Sequence, residues 1–226
     1  MKRLAVAFLT LLSLALPAAA QEYYDVGVDL PAYPEMEPVS DSPVYYAPAV
    51  DSNYFYYDGL YWDYANDGWY SSPWYNGPWS YVDPVYVPTY ILWVPIAYYH
   101  RPPHYFNAWN RNHPPHWGER WGRDWQRRHN QVYSGNRNAN ASVARAPLPH
   151  YQRQYTRENY PRAITQQAAI HGQHSSYQPR ESITRQQYQN RGMASGSIQR
   201  AAPAPQPAAA PPAQAARGGG GNPIAR

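Results

Sequence analysis

The chain has 226 residues, a net charge of +4 and no cysteine, so neither a disulfide framework nor a thiolate metal site is available to it. Its apolar content resides in 24 Tyr and 9 Trp against 3 Phe, with 25 Pro and a mean hydropathy of −0.76. Such a composition excludes a large aliphatic core and a bundle of membrane-spanning helices, and points to one small packed unit within much unpacked chain.

Residues 1–20 read as a secretory signal peptide: a basic tip at Lys2 and Arg3, a mostly apolar run from Leu4 to Leu16, then Pro17 and three alanines. The run is 13 residues long, too short to cross ~30 Å of hydrocarbon as a helix. The expectation is cleavage near Ala20, a mature chain without a transmembrane segment, and a destination in the periplasm or outside the cell.

Charge then divides the chain. From Gln21 to His100 there are 11 acidic residues and no Lys or Arg, a charge of −11; from Arg101 to Arg226 there are 17 Arg against 4 acids, a charge of +13. The basic part is able to attract anionic partners or to fold back on the acidic part.

Residues 21–52, rich in Pro, Tyr and acid and lacking a period of two or of 3.6, read as an extended disordered leader. Residues 53–100 carry the fold signal. Short aromatic runs, Tyr54 to Tyr57, Leu60 to Tyr64, Trp69 to Ser72 and Trp79 to Val82, are separated by Asp58-Gly59, Asn66-Asp67-Gly68 and a Pro73 to Pro78 turn. Gly, Asn and Asp accept positive φ and Pro ends a ladder, so the expected fold class is a small all-β antiparallel meander. Alternation places Leu60, Trp62 and Tyr64 on one face and Tyr61 and Asp63 on the other, with Trp69, Trp79 and Tyr81 joining the first set. Pro88 is positioned to open one helical turn that lays Ile91 and either Val94 or Trp93 over the sheet, with a strand as the alternative.

Residues 101–130 turn to Arg, His, Trp and Pro. Trp117, Trp121 and Trp125 stand at i, i+4 and i+8, a short Arg/Trp helical segment that Pro114 and Pro115 start and that Gly118 and Gly122 weaken. Residues 131–226, rich in Gln, Arg, Ala and Pro, read as a disordered tail.

The runs Tyr56-Tyr57-Asp58-Gly59-Leu60-Tyr61-Trp62, Gly68-Trp69-Tyr70, Asn76-Gly77-Pro78-Trp79 and Val87-Pro88, together with Trp117-Gly-x-x-Trp121-Gly-x-x-Trp125, resemble a Tyr/Trp-rich module of uncharacterised exported proteins of Gram-negative bacteria. The resemblance covers about residues 54–130. It implies an exported protein with a small β unit and brings no activity or functional residue with it.

The residue chemistry admits few functions. No nucleophile elbow, phosphate loop or zinc motif is present, and the histidine pairs are broken by proline, so neither an enzyme nor a metal site nor a cofactor is expected. Arg120, Arg123, Arg127 and Arg128 are the candidate contacts for an anionic envelope polymer or a membrane surface; a protein partner is an alternative, the protein's own acidic half another, and nucleic acid the least favoured. Tyr61 and Tyr70 on an outer face, with Trp74 and Tyr75 at a turn tip, are the candidate surface for stacking on sugar rings, which defines the rival class of a carbohydrate-binding module.

Overall fold

A computed structural model describes residues 24–133, Gly27 excepted, and residues 144–193. The signal-peptide reading of residues 1–20 and the tail beyond residue 193 lie outside the described residues.

Six strands form one antiparallel sheet in chain order: β1 (Glu37–Pro38), β2 (Tyr45–Tyr46), β3 (Asn53–Tyr57), β4 (Leu60–Ala65), β5 (Gly68–Ser72) and β6 (Ser80–Val82). The meander read from the sequence is therefore the fold. Its two tight hairpins close where the turn chemistry demands. Asp58 and Gly59 have φ of 50° and 89° between the paired ends Tyr57 and Leu60, and Asn66 and Asp67 have φ of 50° and 59° between Ala65 and Gly68. Positive φ at both central residues matches the right-handed twist of the strands they join.

Side chains alternate across the pleat, yet β3 and β5 are buried at every position and β4 at all but Ala65. Both faces of the sheet are covered. On the first face, Phe55, Tyr57, Leu60, Trp62, Tyr64 and Trp69 pack against the chain that continues from β6. That cover begins at Pro84–Tyr86, a 3₁₀ turn capped by the Asp83 carboxylate, and continues into α1 (Thr89–Leu92). Pro88 precedes α1, Ile91 and Val94 are fully buried, and Trp93 is 53% exposed. The single helical turn thus uses Ile91 and Val94, not Trp93. The same cover ends in α2 (Trp117–Tyr133), interrupted at Gly122, where φ of 80° and ψ of 174° leave the helical region. A residue with a Cβ is disfavoured in that conformation, so glycine permits the break.

The second face carries Tyr54, Tyr56, Tyr61 and Tyr70 and receives Val26, Ala47, Tyr75, Trp79 and Ala146. Strict alternation predicts Trp79 and Tyr81 on the first face, with Trp62, and the structure corrects this. The seven residues between β5 and β6 reset the alternation, so that Trp79 packs edge-on to Tyr54 at 5.9 Å and Tyr81 stays 48% exposed.

Two further expectations need correction. Residues 24–52 are not a free leader: β1 and β2 extend the sheet, and Leu30 N donates to Asn76 Oδ1 at 2.9 Å. Residues 144–193 are not a free tail. They form a 3₁₀ stretch at His150–Gln154, α3 (Ile164–His174) and α4 (Ser182–Asn190), and they close over the sheet. The physical reason is that burial here does not need aliphatic residues. Tyr151, Tyr155 and Tyr160 surround Trp74 at centroid distances of 6.0, 5.3 and 5.8 Å. Gln152, fully buried, accepts from Tyr61 Oη at 3.3 Å and Tyr75 N at 3.1 Å and donates to the carbonyl of Pro73 at 3.0 Å. Polar side chains so saturated cost little to bury.

Candidate functional site

The arginine-bearing helix is anchored by one face. Trp117 Nε1 donates to the Leu92 carbonyl at 2.9 Å, and its ring meets Tyr64, Trp69 and Phe106 edge-on at 5.3, 6.0 and 5.6 Å. Trp117 stacks on Trp121 at 4.5 Å with 9° between planes, and the ladder continues through Trp125, His129 and Tyr133. His129 Nε2 lies 3.0 Å from the Val87 carbonyl, and burial lowers the pKa of its ring. The aromatic spacing of i, i+4 and i+8 seen in the sequence thus serves to dock α2 on the sheet.

Arg120, before the break at Gly122, and Arg123, Arg127 and Arg128, after it, are all exposed. Arg120 pairs with Asp67 at 3.0 Å and lies over the Tyr105 ring at 5.1 Å. Arg127 pairs with Asp124 one turn back at 2.9 Å. Arg123 and Arg128 have no carboxylate within ion-pair distance among the described residues. Of the four, two guanidiniums are engaged locally and two are free of such pairs.

The four candidate stacking residues are not at a surface. Tyr61, Trp74 and Tyr75 are fully buried and Tyr70 is 9% exposed. The turn predicted to display Trp74 and Tyr75 is covered by residues 151–160. Tyr75 lies edge-on to Tyr160 at 5.2 Å, and Asn76 N donates to Tyr160 Oη at 3.1 Å. Tyr70 is capped by Tyr24 and Tyr81 at 5.6 and 5.8 Å. No sugar ring has access to these faces while the protein is folded.

Sequence reasoning missed a cleft of about 600 Å³. One wall is Tyr56 and Gly59 at the β3–β4 turn; the others are residues 147–151, the end of α3 and residues 175–178. At its base the His171 ring, 3% exposed, lies between two phenols, with Nδ1 at 2.8 Å from Tyr151 Oη and Nε2 at 3.0 Å from Tyr188 Oη. Burial pushes the His171 pKa down to about 4, which keeps the ring neutral. The Gln, His and Tyr of residues 150–188 give no periodic signal, and only their shared environment identifies them.

Beside the cleft, Asp58 accepts from Tyr177 Oη at 2.7 Å and from the backbone N of Arg180 and Glu181 at 2.8 and 3.0 Å. A side chain from the β-turn thereby satisfies the start of α4, which has no capping side chain of its own. Desolvation raises the pKa of Asp58, and it pushes Glu181 and Asp63 up to about 7 each. Among the described residues no three His, Asp or Glu side chains are placed to hold a metal ion, and no helix is long and apolar enough to cross a membrane. No family model, curated protein or solved structure matches this chain.

Proposed function

We propose that the protein is a non-catalytic, exported interaction protein that engages anionic polymers of the cell envelope through the outer face of α2. One observation carries the reading: the helix turns its indoles toward the sheet and its guanidiniums outward, leaving Arg123 and Arg128 without a carboxylate partner among the described residues. The same arrangement favours a polymer over a bilayer, because Trp117 and Trp125, the groups that would seat in a lipid interface, are 4% and 8% exposed.

Binding of this kind releases counterions, and two unpaired guanidiniums set a slope of log affinity against log salt of about −2. The full chain is expected to bind heparin and lipopolysaccharide at about 50 mM salt and to weaken about a hundredfold by 500 mM. Arg123→Gln with Arg128→Gln removes the binding and leaves thermal stability unchanged, since both side chains are exposed. Salt-independent binding, or full binding by the double variant, rejects the proposal.

A further inference from the structure

We infer that the cleft between the β3–β4 turn and the end of α3 is a binding site for a neutral oligosaccharide. Its residues and its physics are separate from those of the arginine face.

The lining supplies the first argument. Of its 15 residues four are Tyr, three His and three Pro, and none carries a carboxylate, an ammonium or a guanidinium. In a chain with 19 Lys and Arg and 15 Asp and Glu, that gives an opening without fixed charge. An anionic or cationic ligand finds no counterpart there, whereas a polyhydroxylated ring with apolar C–H faces and a hydrogen-bonding edge finds both kinds of partner.

Preorganisation supplies the second. The phenols are tied back by their hydroxyls: Tyr56 to the Pro147 carbonyl at 3.0 Å, Tyr177 to Asp58 at 2.7 Å, Tyr151 and Tyr188 to His171. Gly59, at φ of 89°, lets the wall close, because a Cβ there would stand 3.1 Å from the Tyr177 ring. Tyr151 and Tyr177, half-buried, are the two rings a ligand can reach; Tyr56 and Tyr188 are buried behind them, and rings fixed in this way lose little entropy on binding.

The rim supplies the third. His174 stacks on Tyr151 with 12° between planes and a centroid distance of 5.5 Å, a flat platform at the mouth. His174 and His150 are both exposed, and their ring nitrogens make no hydrogen bond among the described residues. They stand ready for sugar hydroxyls. The volume lies within the roughly 300–1,000 Å³ of sites that enclose a small organic ligand.

The test is calorimetry and saturation-transfer NMR of the full chain with cellotetraose, laminaritetraose, chitotetraose and mannotetraose, each at about 1 mM. At least one is expected to bind, with an affinity unchanged between about 50 and 500 mM salt. Two exposed positions separate binding from folding: His174→Ala removes the platform and Ser176→Trp fills the mouth. Each is expected to weaken binding at least about tenfold with an unchanged near-UV dichroism spectrum. Binding by none of the four sugars, or binding that survives both variants, overturns the inference.

Discussion

Tyr57 Oη donates a 2.6 Å hydrogen bond to Oε1 of Glu181, 124 residues further along the chain, and this bond ties β3 to the start of α4. Glu181 is 8% exposed and has no cationic partner among the described residues. Burial is the main cause of its raised pKa, with the neighbouring Asp58 adding to it.

Stability is therefore expected to depend on pH. Between about pH 5 and 6.5 the unfolded chain has Asp63 and Glu181 ionised and His171 protonated. In the folded chain the two acids, at about 7, hold their protons and His171, at about 4, has lost its own. Among these three groups the folded state thus binds one more proton net, and their joint contribution to stability falls by ~1.4 kcal/mol per pH unit as pH rises through this window; His129, lowered by burial, acts in the sense of His171, and Asp58, raised by burial, in the sense of the acids. Taken separately, the acids' contribution is lost on raising pH toward 7, and the histidine's on lowering pH toward 4. Glu181→Gln keeps an acceptor for Tyr57 and removes one titration. Urea unfolding at several pH values is expected to show this variant's stability falling less with rising pH than the parent's, by ~1.4 kcal/mol per pH unit; an unchanged slope would exclude the assignment.

Trp74→Ala and Trp69→Ala are each expected to cost ~3–5 kcal/mol, since both indoles are fully buried. Trp93→Ala, at a ring 53% exposed, is expected within about 0.5 kcal/mol of the parent. Chemical denaturation followed by dichroism distinguishes them. A stable Trp74→Ala protein would show that the cover formed by residues 151–160 does not persist in solution.

Gln152→Leu is close to isosteric and deletes the amide that Tyr61, Tyr75 N and the Pro73 carbonyl share. The expected loss is ~2–4 kcal/mol, because three buried polar groups are left without partners. Gln152→Glu puts an unpaired charge at the same point and is expected to lose more above about pH 6 than below it. Midpoint shifts at two pH values measure both.

Arg191, 3% exposed, donates to the Pro78 carbonyl at 2.9 Å and to the Ser71 carbonyl at 2.7 Å. Arg191→Ala strands both carbonyls and is expected to cost ~2–4 kcal/mol. Arg185, exposed and bonded only locally to the carbonyls of Pro179 and Arg180, is the control, with an expected change under about 1 kcal/mol. Thermal melts of the two variants test the difference.

What the sequence reveals is local. Asp58-Gly59 and Asn66-Asp67 mark the hairpins because their backbone tolerates positive φ, and Leu60, Trp62 and Tyr64 mark a face because a strand alternates. Pro88 and the spacing of Trp117, Trp121 and Trp125 are legible for the same reason. The second face is hidden. An antiparallel sheet commonly leaves one side to solvent, so Tyr61 and Tyr70 read as display residues. The cover comes from Tyr24 and Tyr81 over Tyr70 and from Gln152 over Tyr61, residues with no common period. The cleft is illegible on the same ground, since His171, Tyr151 and Tyr188 meet only after three separate segments have docked.

That wrapping has a kinetic side. A chain emerging from the ribosome completes its hairpins early, yet Tyr61 waits 91 residues for Gln152, Ser71 waits 116 for Gln187, and Tyr57 waits 124 for Glu181. Until then the strands have local turns and, on the first face, the cover of residues 84–133, but neither face is completed, and closing loops of that length is slow. Complete closure of the sheet is thereby expected only once Glu181 and Gln187 are available to it. A nascent chain truncated before α4 is expected to remain protease-sensitive, while one that includes the helix locks the same strands together.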